Sequence, residues 1–424
     1  MKKGLIILGS ILLLFLGFVY LSVSETEDKF RTCSILNFSD IEGLNFKDFD
    51  SVSVAASTLY EASFLKQIMQ GEQYRKAWAA PMTVPIVYLD TLKGGLKIIE
   101  QGGGKQTHSL ELEDSLGIRY TLRSVTKNPE PLVPDLAKDL NLENIIIDGI
   151  SAQHPYAALV VANLADAAKV LHTQPILVFV PKQSELGKFN DKFGNRLFLF
   201  EYESEGEVDW TGLPSVVEIV DTEDLQEYKT KYGDAVTIDK NALIRARLFD
   251  FIIGDWDRHA KQWGWAVQKN DGSFTATPVA ADRDNAFFDQ DGVIPKLIAN
   301  DLTYPEIQDF DETIGNLDGL ISTFDEYFLR QATVDQFELE ASKLQELLSD
   351  DQIEKAFEVW PKTMDDLNGE EIRKKLKSRR DDIPTYASQF YTLVNERPLK
   401  KIVLKGSEEL QLKGTLSKCF DCTN

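Results

Sequence analysis

Two pairs of aspartates stand close together in the middle of the chain, Asp255 with Asp257 and Asp282 with Asp284. Crowded carboxylates repel one another unless cations or protons compensate their charge. Divalent cations such as Mg²⁺ or Mn²⁺ are the usual compensation, because they prefer oxygen ligands. These residue types therefore predict a metal site with Asp255, Asp282 and Asp284 as candidate ligands and Gln262 as a further one.

The segment between the two pairs predicts a β-hairpin that would bring them together. Residues 263–268 and 274–281 read as strands, and the sequence Asn-Asp-Gly at 270–272 is a strong hairpin turn signal. With the turn there, Gln262 falls opposite Ala281. Both acidic pairs then lie at the open end of the hairpin.

Other elements must carry this hairpin. Residues 239–253 predict a helix with Asp239 as its cap, which delivers the chain to the first acidic pair. Apolar spacing predicts an earlier helix over 57–69, and residues 301–395 are rich in helical patterns. Residues 400–416 predict a closing hairpin.

The upstream part predicts a second lobe with about five strands and one main helix. A Gly-rich turn separates its first two strands, and close backbone approach there would suit a phosphate. The candidate phosphate contacts in and after this turn are Gly102, Gly103, Gly104, Lys105, Arg123 and Lys127. Asp166 is a lone acid in the apolar helix predicted over 151–171, where Ser151 is a possible cap, and a buried acid needs a cation. Residues 175–181 and 196–202 are apolar enough for central strands.

Two motifs carry a resemblance to known families. GDWDRHAKQ at 254–262 resembles the D-R-H-x-x-N catalytic loop of phosphatidylinositol kinases and the related loop of secretory-pathway Golgi kinases. ADRDNAF at 281–287 is similar to their metal-binding segment, in which an Asp precedes a Phe by five positions. The chain also resembles a family of uncharacterised exported bacterial proteins, some fused to a calcineurin-like metallophosphoesterase, through GGGKQT…LRSV, GDWDRH and DRD-x-AF.

The kinase resemblance implies an α+β, two-lobed, protein-kinase-like fold with an antiparallel N-lobe sheet and a mostly helical C-lobe. It implies roles for seven residues, and for ATP as the nucleotide. Asp257 would be the catalytic Asp, His259 structural or phosphate-contacting, Gln262 a replacement for a metal-binding Asn, Asp282 the ligand of nucleotide-bound Mg²⁺ or Mn²⁺, Arg123 or Lys127 the strand cation, and Asp166 its helix partner.

The expected organisation has five parts. They are an N-terminal anchor or signal peptide at 1–24, an entry segment at 25–93, an N-lobe at 94–206, a C-lobe at 207–398, and a C-terminal hairpin with a CxxC tail at 399–424.

Composition limits the partners and the compartment. The chain has 424 residues and a formal net charge of −22, a field that repels nucleic acid and anionic lipid surfaces. Two lysines precede an uncharged apolar run over 4–23, which fits an uncleaved membrane anchor or a cleaved signal peptide with the rest exported to the cell envelope. In an oxidising compartment Cys419 and Cys422 could pair.

Three functions fit these residues. The first is an exported, kinase-like phosphotransferase that uses a metal-bound nucleoside triphosphate and an acceptor of unknown class. The second is a non-catalytic binding or envelope-assembly module of the same fold, perhaps the partner of a metallophosphoesterase. The third is a metal-dependent phosphoester hydrolase, which the scarcity of histidines disfavours, since the chain has four.

Overall fold

The computed structural model is an α+β protein. It describes residues 2–23, 34–35, 44–103, 107–128, 131, 133–300 and 302–422. Helices α1 to α7 span Lys2–Val23, Phe64–Gln70, Arg75–Ala79, Asp135–Asp139, Glu143–Asp148, Ala157–Ala167 and Asn190–Phe193. Strands β1 to β8 span Ser34–Ile35, Ser51–Ala55, Pro81–Pro85, Lys97–Glu100, Ser109–Glu113, Arg119–Ser124, Ile176–Val180 and Arg196–Tyr202.

The second half of the chain is mostly helical. Helices α8 to α15 span Thr222–Tyr232, Lys240–Ile253, Val293–Ile298, Leu317–Leu320, Thr323–Leu329, Val334–Leu347, Asp350–Ala356 and Lys362–Glu396. Strands β9 to β12 span Val216–Val220, Val236–Ile238, Trp263–Asn270 and Ser273–Ala280. Helices α13 and α15 pack against α9, and the buried apolar residues of all three belong to the main core.

A five-stranded sheet with strand order β4-β5-β6-β8-β7 dominates the first half, and every neighbouring pair is antiparallel. Alternate residues of β8 face opposite sides. Leu197 and Leu199 join the main core, which also contains α6, whereas Phe198 and Phe200 join a separate apolar cluster on the other face. The prediction of about five strands and one main helix is confirmed, although β7 lies at an edge of this sheet and not at its centre.

A second sheet has the order β10-β12-β11-β9 and contains the predicted hairpin. Asn270 pairs with Ser273, and the backbone N–H of Ala281 donates to the carbonyl of Gln262 at 3.0 Å. The predicted register is therefore confirmed. The turn residues between the strands, 271 and 272, both have positive φ (41° and 91°), as the tight turn of a two-residue hairpin requires.

Helix α9 ends where the first acidic pair begins. Asp239 caps it as predicted, its Oδ1 accepting the backbone N–H of Ala242 at 2.9 Å. Gly254 ends it in the left-handed region at φ 69°, and a Cβ there would lie 2.5 Å from the ring of Phe310. Because only glycine fits this position without strain, the sequence forces a sharp exit that turns Asp255 and Asp257 away from the helix.

Three of the predicted elements differ in the structure. The helix expected over 57–69 starts only at Phe64, because Ser63 caps it there and accepts the backbone N–H of Lys66. Ser151 lies inside a short 3₁₀ helix, Gly149–Ala152, and does not cap α6. Residues 400–416 contain no strand in the structure.

The C-terminal segment packs on the helical part of the protein without forming a strand, and it folds back on itself where the backbone N–H of Ile402 donates to the carbonyl of Ser417 at 2.9 Å. Ile402 and Leu404 are buried, and Phe420 packs 5.2 Å from the ring of Phe328. Cys419 and Cys422 form a disulfide on either side of that phenylalanine. Buried apolar side chains at both ends hold this segment in place, and no strand pairing does.

Helix α1 is long and apolar enough to cross a membrane. Its mean hydropathy over the most apolar window is 2.6, and only 6% of that window is buried in the protein. The segment at 143–167 passes the same test of length and composition, but 67% of it is buried, as expected for helices in the core.

Candidate active site

The catalytic-loop motif and the second acidic pair are tied together by one buried arginine. Nη1 of Arg258 donates to the carbonyl of Ala281 at 2.7 Å, and Nη2 donates to the carbonyl of Gln262 at 3.3 Å. The guanidinium also lies 4.5 Å from the ring centre of Trp263. A planar five-donor group suits this bridging of two segments, which a lysine could not reproduce. Arg258 therefore sets the position of Asp257 relative to Asp282.

Asp282 forms an ion pair with Arg123, which lies on strand β6 of the five-stranded sheet. Nη1 of Arg123 lies 3.0 Å from Oδ2 of Asp282, and its Nε donates to Glu201 at 3.0 Å. Burial by itself raises the pKa of Asp282, but Arg123 and Lys127 outweigh it and hold that pKa below its usual value. Asp282 is also in the left-handed region at φ 50°, and strain of this kind in a non-glycine residue concentrates at functional sites. Asp282 is therefore a strained, ionised carboxylate at the junction of the two halves.

Asp284 makes a similar contact two residues further along the chain. Its Oδ2 lies 3.2 Å from Nζ of Lys127, and both side chains are largely buried. Burial raises the pKa of Asp284, Lys127 lowers it, and the nearby charge of Asp282 raises it again, so that the net direction is upward. Two carboxylates from one segment are thus held by two cations from the end of β6 and the residues after it.

Asp257 faces this cluster and is partly open to solvent. Its side chain is 37% exposed, and its Oδ1 lies 3.8 Å from Nε2 of His259. The same nitrogen lies 2.6 Å from Nζ of Lys405, which the C-terminal segment supplies. Burial lowers the pKa of His259 to about 4, and Lys405 acts in the same direction while Asp257 opposes it. His259 is therefore neutral near pH 7 and can accept a hydrogen bond from the lysine.

Asp255 is buried beside Arg258, and its assignment as a metal ligand stays a prediction. Its side chain is fully buried, with Oδ2 at 3.7 Å from Nη1 of Arg258, and burial raises its pKa well above the usual value. Its backbone N–H donates to the carbonyl of Asp250, which belongs to a buried charge network beneath the loop. Asp255 therefore supports the loop from its buried side, through Arg258 and the backbone of Asp250.

The expected metal centre of Asp255, Asp282 and Asp284 with Gln262 is not seen among the described residues. Within the described residues no group of three or more His, Cys, Asp or Glu side chains is arranged to hold a metal ion. Asp282 and Asp284 remain, and Mg²⁺ in nucleotide sites is commonly held by one or two carboxylates together with substrate phosphates. The donor set fits a metal that arrives with phosphate and does not fit a resident metal. Gln262 is buried at the open end of the hairpin, and its role as a ligand stays a prediction.

The remaining predicted contact residues, in the Gly-rich turn and in α6, have different outcomes in the structure. Gly102 and Gly103 lie in the turn after β4, and a Cβ on Gly103 would meet the carbonyl of Thr107 at 2.4 Å. Phosphate binding by this turn stays a prediction, and Gly104 and Lys105 lie outside the described residues. Asp166 is not the partner of the strand cations. Its carboxylate is 71% exposed and binds Nε2 of His172 at 3.0 Å, because it lies on the outer side of α6.

Two residues that the sequence reading missed complete the cluster. Glu201 takes the role expected of Asp166, and a lone acid in the apolar strand RLFLFEY was the available signal. Burial raises the pKa of Glu201, while Arg123 and the hydroxyl of Thr173 lower it. Lys405 had no local signal, since only the path of the C-terminal segment brings it to His259.

Little free space adjoins the cluster in this structure. Two cavities of about 20 Å³ each flank Asp284, one towards Thr173 and Glu201 and the other towards Lys127 and Gln153. A volume of that size holds about one water molecule. Arg123 and Lys127 are therefore paired with the carboxylates of Asp282 and Asp284 in place of a ligand.

Comparisons with known proteins give little further information. No family model matches the chain, and no curated protein matches it. Among solved structures, the proinflammatory kinase CtkA of Helicobacter pylori is 14% identical over 72% of this chain and 97% of its own, with a TM-score of 0.33. HipA of the Shewanella oneidensis MR-1 toxin–antitoxin system, solved with HipB and operator DNA, is 11% identical over 70% of this chain and 67% of its own, with a TM-score of 0.34. At these scores neither likeness carries an argument about this chain.

Proposed function

We propose that this protein is a membrane-anchored, kinase-like phosphotransferase of the cell envelope that binds a nucleoside triphosphate together with Mg²⁺ or Mn²⁺. The observation that carries the proposal is the double ion pair between the two halves, Arg123 with Asp282 at 3.0 Å and Lys127 with Asp284 at 3.2 Å. Two cations and two carboxylates meet there in a largely buried place, with Asp257 beside them.

A metal–triphosphate complex is the ligand class that satisfies such a mixed set. Its phosphate oxygens can replace the carboxylates as partners of Arg123 and Lys127, and its metal can replace the cations as the partner of Asp282 and Asp284. A free anion would leave the acids without partners, and a free metal would leave the cations without partners. Charge complementarity therefore selects the two ligands together.

The order of elements supports a kinase-like reading. A Gly-rich turn, a strand cation, a helix against the sheet, a DRH loop and a hairpin leading to a second Asp follow one another along the chain. In protein kinases the corresponding parts cover the phosphates, hold them, orient the acceptor and bind the metal. In this chain Glu201, from a strand, orients the cation.

We assign to Asp257 the role of acting on an acceptor hydroxyl. It is the more exposed member of the first pair, and Arg258 fixes its distance from Asp282. A positioned carboxylate can orient the hydroxyl and accept its proton as the phosphoryl group is transferred, an effect worth about 10²–10⁴ in rate. When bound, the metal neutralises the charge that develops on the phosphates.

Binding of the nucleotide is the first test. Full-length protein in detergent micelles is titrated calorimetrically with ATP in the presence of Mn²⁺ or Mg²⁺. We expect binding by the wild type and a loss of about 10²-fold or more for Asp282→Asn, since a hydrogen-bonded charge at a desolvated site is worth about 3 kcal/mol. Asp271→Asn, at the far end of the same hairpin, is the matched control and should bind like the wild type. Failure of the wild type to bind with either metal contradicts the proposal.

A second candidate function is a non-catalytic binding module. The observation that favours it is that the charged side chains of the cluster already pair with one another. Arg123 has both Glu201 and Asp282 as partners, so the cluster is stable without a ligand. Turnover separates the two functions. A phosphotransferase loses activity in Asp257→Asn with nucleotide binding retained, whereas a binding module shows no nucleotide turnover in the wild type and supports cell function in Asp257→Asn.

A further inference from the structure

Helix α1 does not leave the folded body as a free tether. Its last turns pack against α2, and three of their residues are buried: Val19, Ser22 and Val23. The amide of Gln70 donates to the hydroxyl of Ser22 at 3.1 Å, and the hydroxyl of Tyr20 donates to the carbonyl of Leu140 at 3.2 Å. Specific contacts of this kind fix the body at the end of the apolar helix.

Around this junction the body exposes large apolar side chains. Helix α10 packs against α2, and Met69 and Ile294 from these two helices join the buried cluster with α1. Phe64, at the start of α2, is 77% exposed, and Leu302, four residues after the end of α10, is 96% exposed. We call the following set the apolar collar: Phe64, Ile68, Leu136, Leu297, Ile298 and Leu302. Exposed apolar residues gathered at one place mark an interaction site.

The length of α1 sets the depth of the collar. Between Lys3 and the buried Val19 lie 15 uncharged residues, which span about 22 Å at 1.5 Å per residue. The hydrocarbon core of a bilayer is about 30 Å thick and needs about 20 residues. If α1 spans the bilayer, its buried last turns must lie at the hydrocarbon boundary, and the elements packed around Val19 and Val23 are carried to the same level.

We propose that the apolar collar is a membrane-docking surface that inserts into the outer edge of the lipid layer around α1. The occupant is lipid, because the collar is continuous with the exposed apolar surface of α1. Attraction to anionic headgroups is not the driving force, since the net charge of −22 repels them. Burial of the apolar side chains at the boundary between headgroups and acyl chains supplies it.

The proposal has a consequence for processing. Cleavage after α1 would expose the apolar side chains of Met69 and Ile294 that α1 covers, and it would remove the Ser22 hydroxyl that accepts the amide of Gln70. The packing therefore favours a retained anchor over a cleaved signal peptide. Docking rests on the membrane anchor of the proposed function and does not depend on nucleotide binding. Failure of the docking test therefore leaves the phosphotransferase assignment untouched.

Depth measurements in bilayers test the surface. Single cysteines replace Phe64, Leu297 and Leu302 in full-length Cys33→Ser protein, in which Cys419 and Cys422 remain paired, and each carries a polarity-sensitive fluorophore. The protein is reconstituted in phosphatidylcholine vesicles containing lipid spin-labelled either near the carbonyl or near the end of the acyl chain. We expect blue-shifted emission and quenching that is stronger with the shallow spin label.

Two further positions calibrate the result. Leu116 is 74% exposed in the turn between β5 and β6, outside the collar, and Leu116→Cys should stay in a polar environment without quenching. Leu12→Cys lies within α1 and should be quenched more strongly by the deep label. Collar positions that behave like Leu116 overturn the proposal, as does a Leu12 label that no lipid quenches. Shielding of collar labels without lipid quenching assigns the surface to a protein contact and also overturns it.

Discussion

The charge network beneath the catalytic loop allows a quantitative prediction. Asp250 is fully buried, and three arginines reach its carboxylate, each at 3.1 Å: Arg247, Arg258 and Arg283. Arg247 has a second carboxylate partner, Asp325, at 2.6 Å. Arg258 and Arg283 depend mainly on Asp250, and burial lowers the pKa of Arg283 even with that partner present.

The substitution Asp250→Asn keeps the shape of the side chain and removes its charge. Two buried guanidinium groups then lack their main counter-charge and repel each other. Removing one partner of a buried ion pair costs about 3–5 kcal/mol, because the remaining charge stays desolvated. At about 2–4 °C for each kcal/mol in a domain of 150–250 residues, the midpoint of thermal unfolding should fall by about 6 °C or more.

The assay is thermal and urea unfolding of full-length protein in one detergent, followed by circular dichroism. Asp257→Asn is the matched control, since its carboxylate is 37% exposed and lies near the like charges of Asp255 and Asp282. We expect that control to change the free energy of unfolding by less than about 0.5 kcal/mol.

A loss within about 1 kcal/mol for Asp250→Asn would refute the account of the network as an interdependent buried cluster. If Asp250→Asn does not accumulate as folded protein, Arg283→Met provides the second measurement. It removes one of three cations and leaves Asp250 with two partners, so the expected loss is smaller. A loss above about 5 kcal/mol for Arg283→Met contradicts the same reasoning.

Three other predictions follow from single residues. Lys405→Met should raise the pKa of His259 from about 4, because it removes the cation 2.6 Å from Nε2, and the histidine resonances in an NMR titration measure the shift. Burial raises the pKa of Asp289 to about 6 from 3.8, so its ionised form costs stability. Asp289→Asn should therefore stabilise the protein at pH 8, with a gain that fades as the pH falls through 6 towards 3.8, followed by thermal unfolding at each pH. Gly254→Ala should cost at least about 2 kcal/mol in urea unfolding, because φ is 69° and a Cβ meets Phe310. Gly315→Ala, where a Cβ meets nothing within 4 Å, should cost much less.

The local patterns of the sequence determined the elements that carry the candidate site. The Asn-Asp-Gly turn sets the hairpin register, since a two-residue turn with positive φ leaves one pairing for the flanking strands. Asp239 and Gly254 mark the start and end of α9, because a cap and a left-handed exit are short-range requirements. Both signals lie within a few residues of the structure that they specify.

The partners of the charged residues were decided by the tertiary structure. Asp255 and Asp257 stand two residues apart, yet Asp255 is buried beside Arg258 and Asp257 is partly open to solvent. The chain leaves the helix at Gly254, so the two side chains point in different directions. Arg123 and Asp282 are 159 residues apart and meet at 3.0 Å. Glu201 replaces Asp166 as the partner of Arg123, because β8 lies beside β6 whereas Asp166 points outwards from α6.

Lys405 shows the limit of sequence reasoning most clearly. Its segment reads as a hairpin, but it forms no strand, and burial of Ile402, Leu404 and Phe420 holds it where Lys405 reaches His259. The apolar collar has the same origin, since α2 and α10, which carry Phe64 and Leu297, lie far apart in the sequence and pack against each other. The sequence alone determined which residue types can do chemistry and which elements hold them. Long-range packing determined which charges meet, because a charge pair depends on distances that local spacing does not encode.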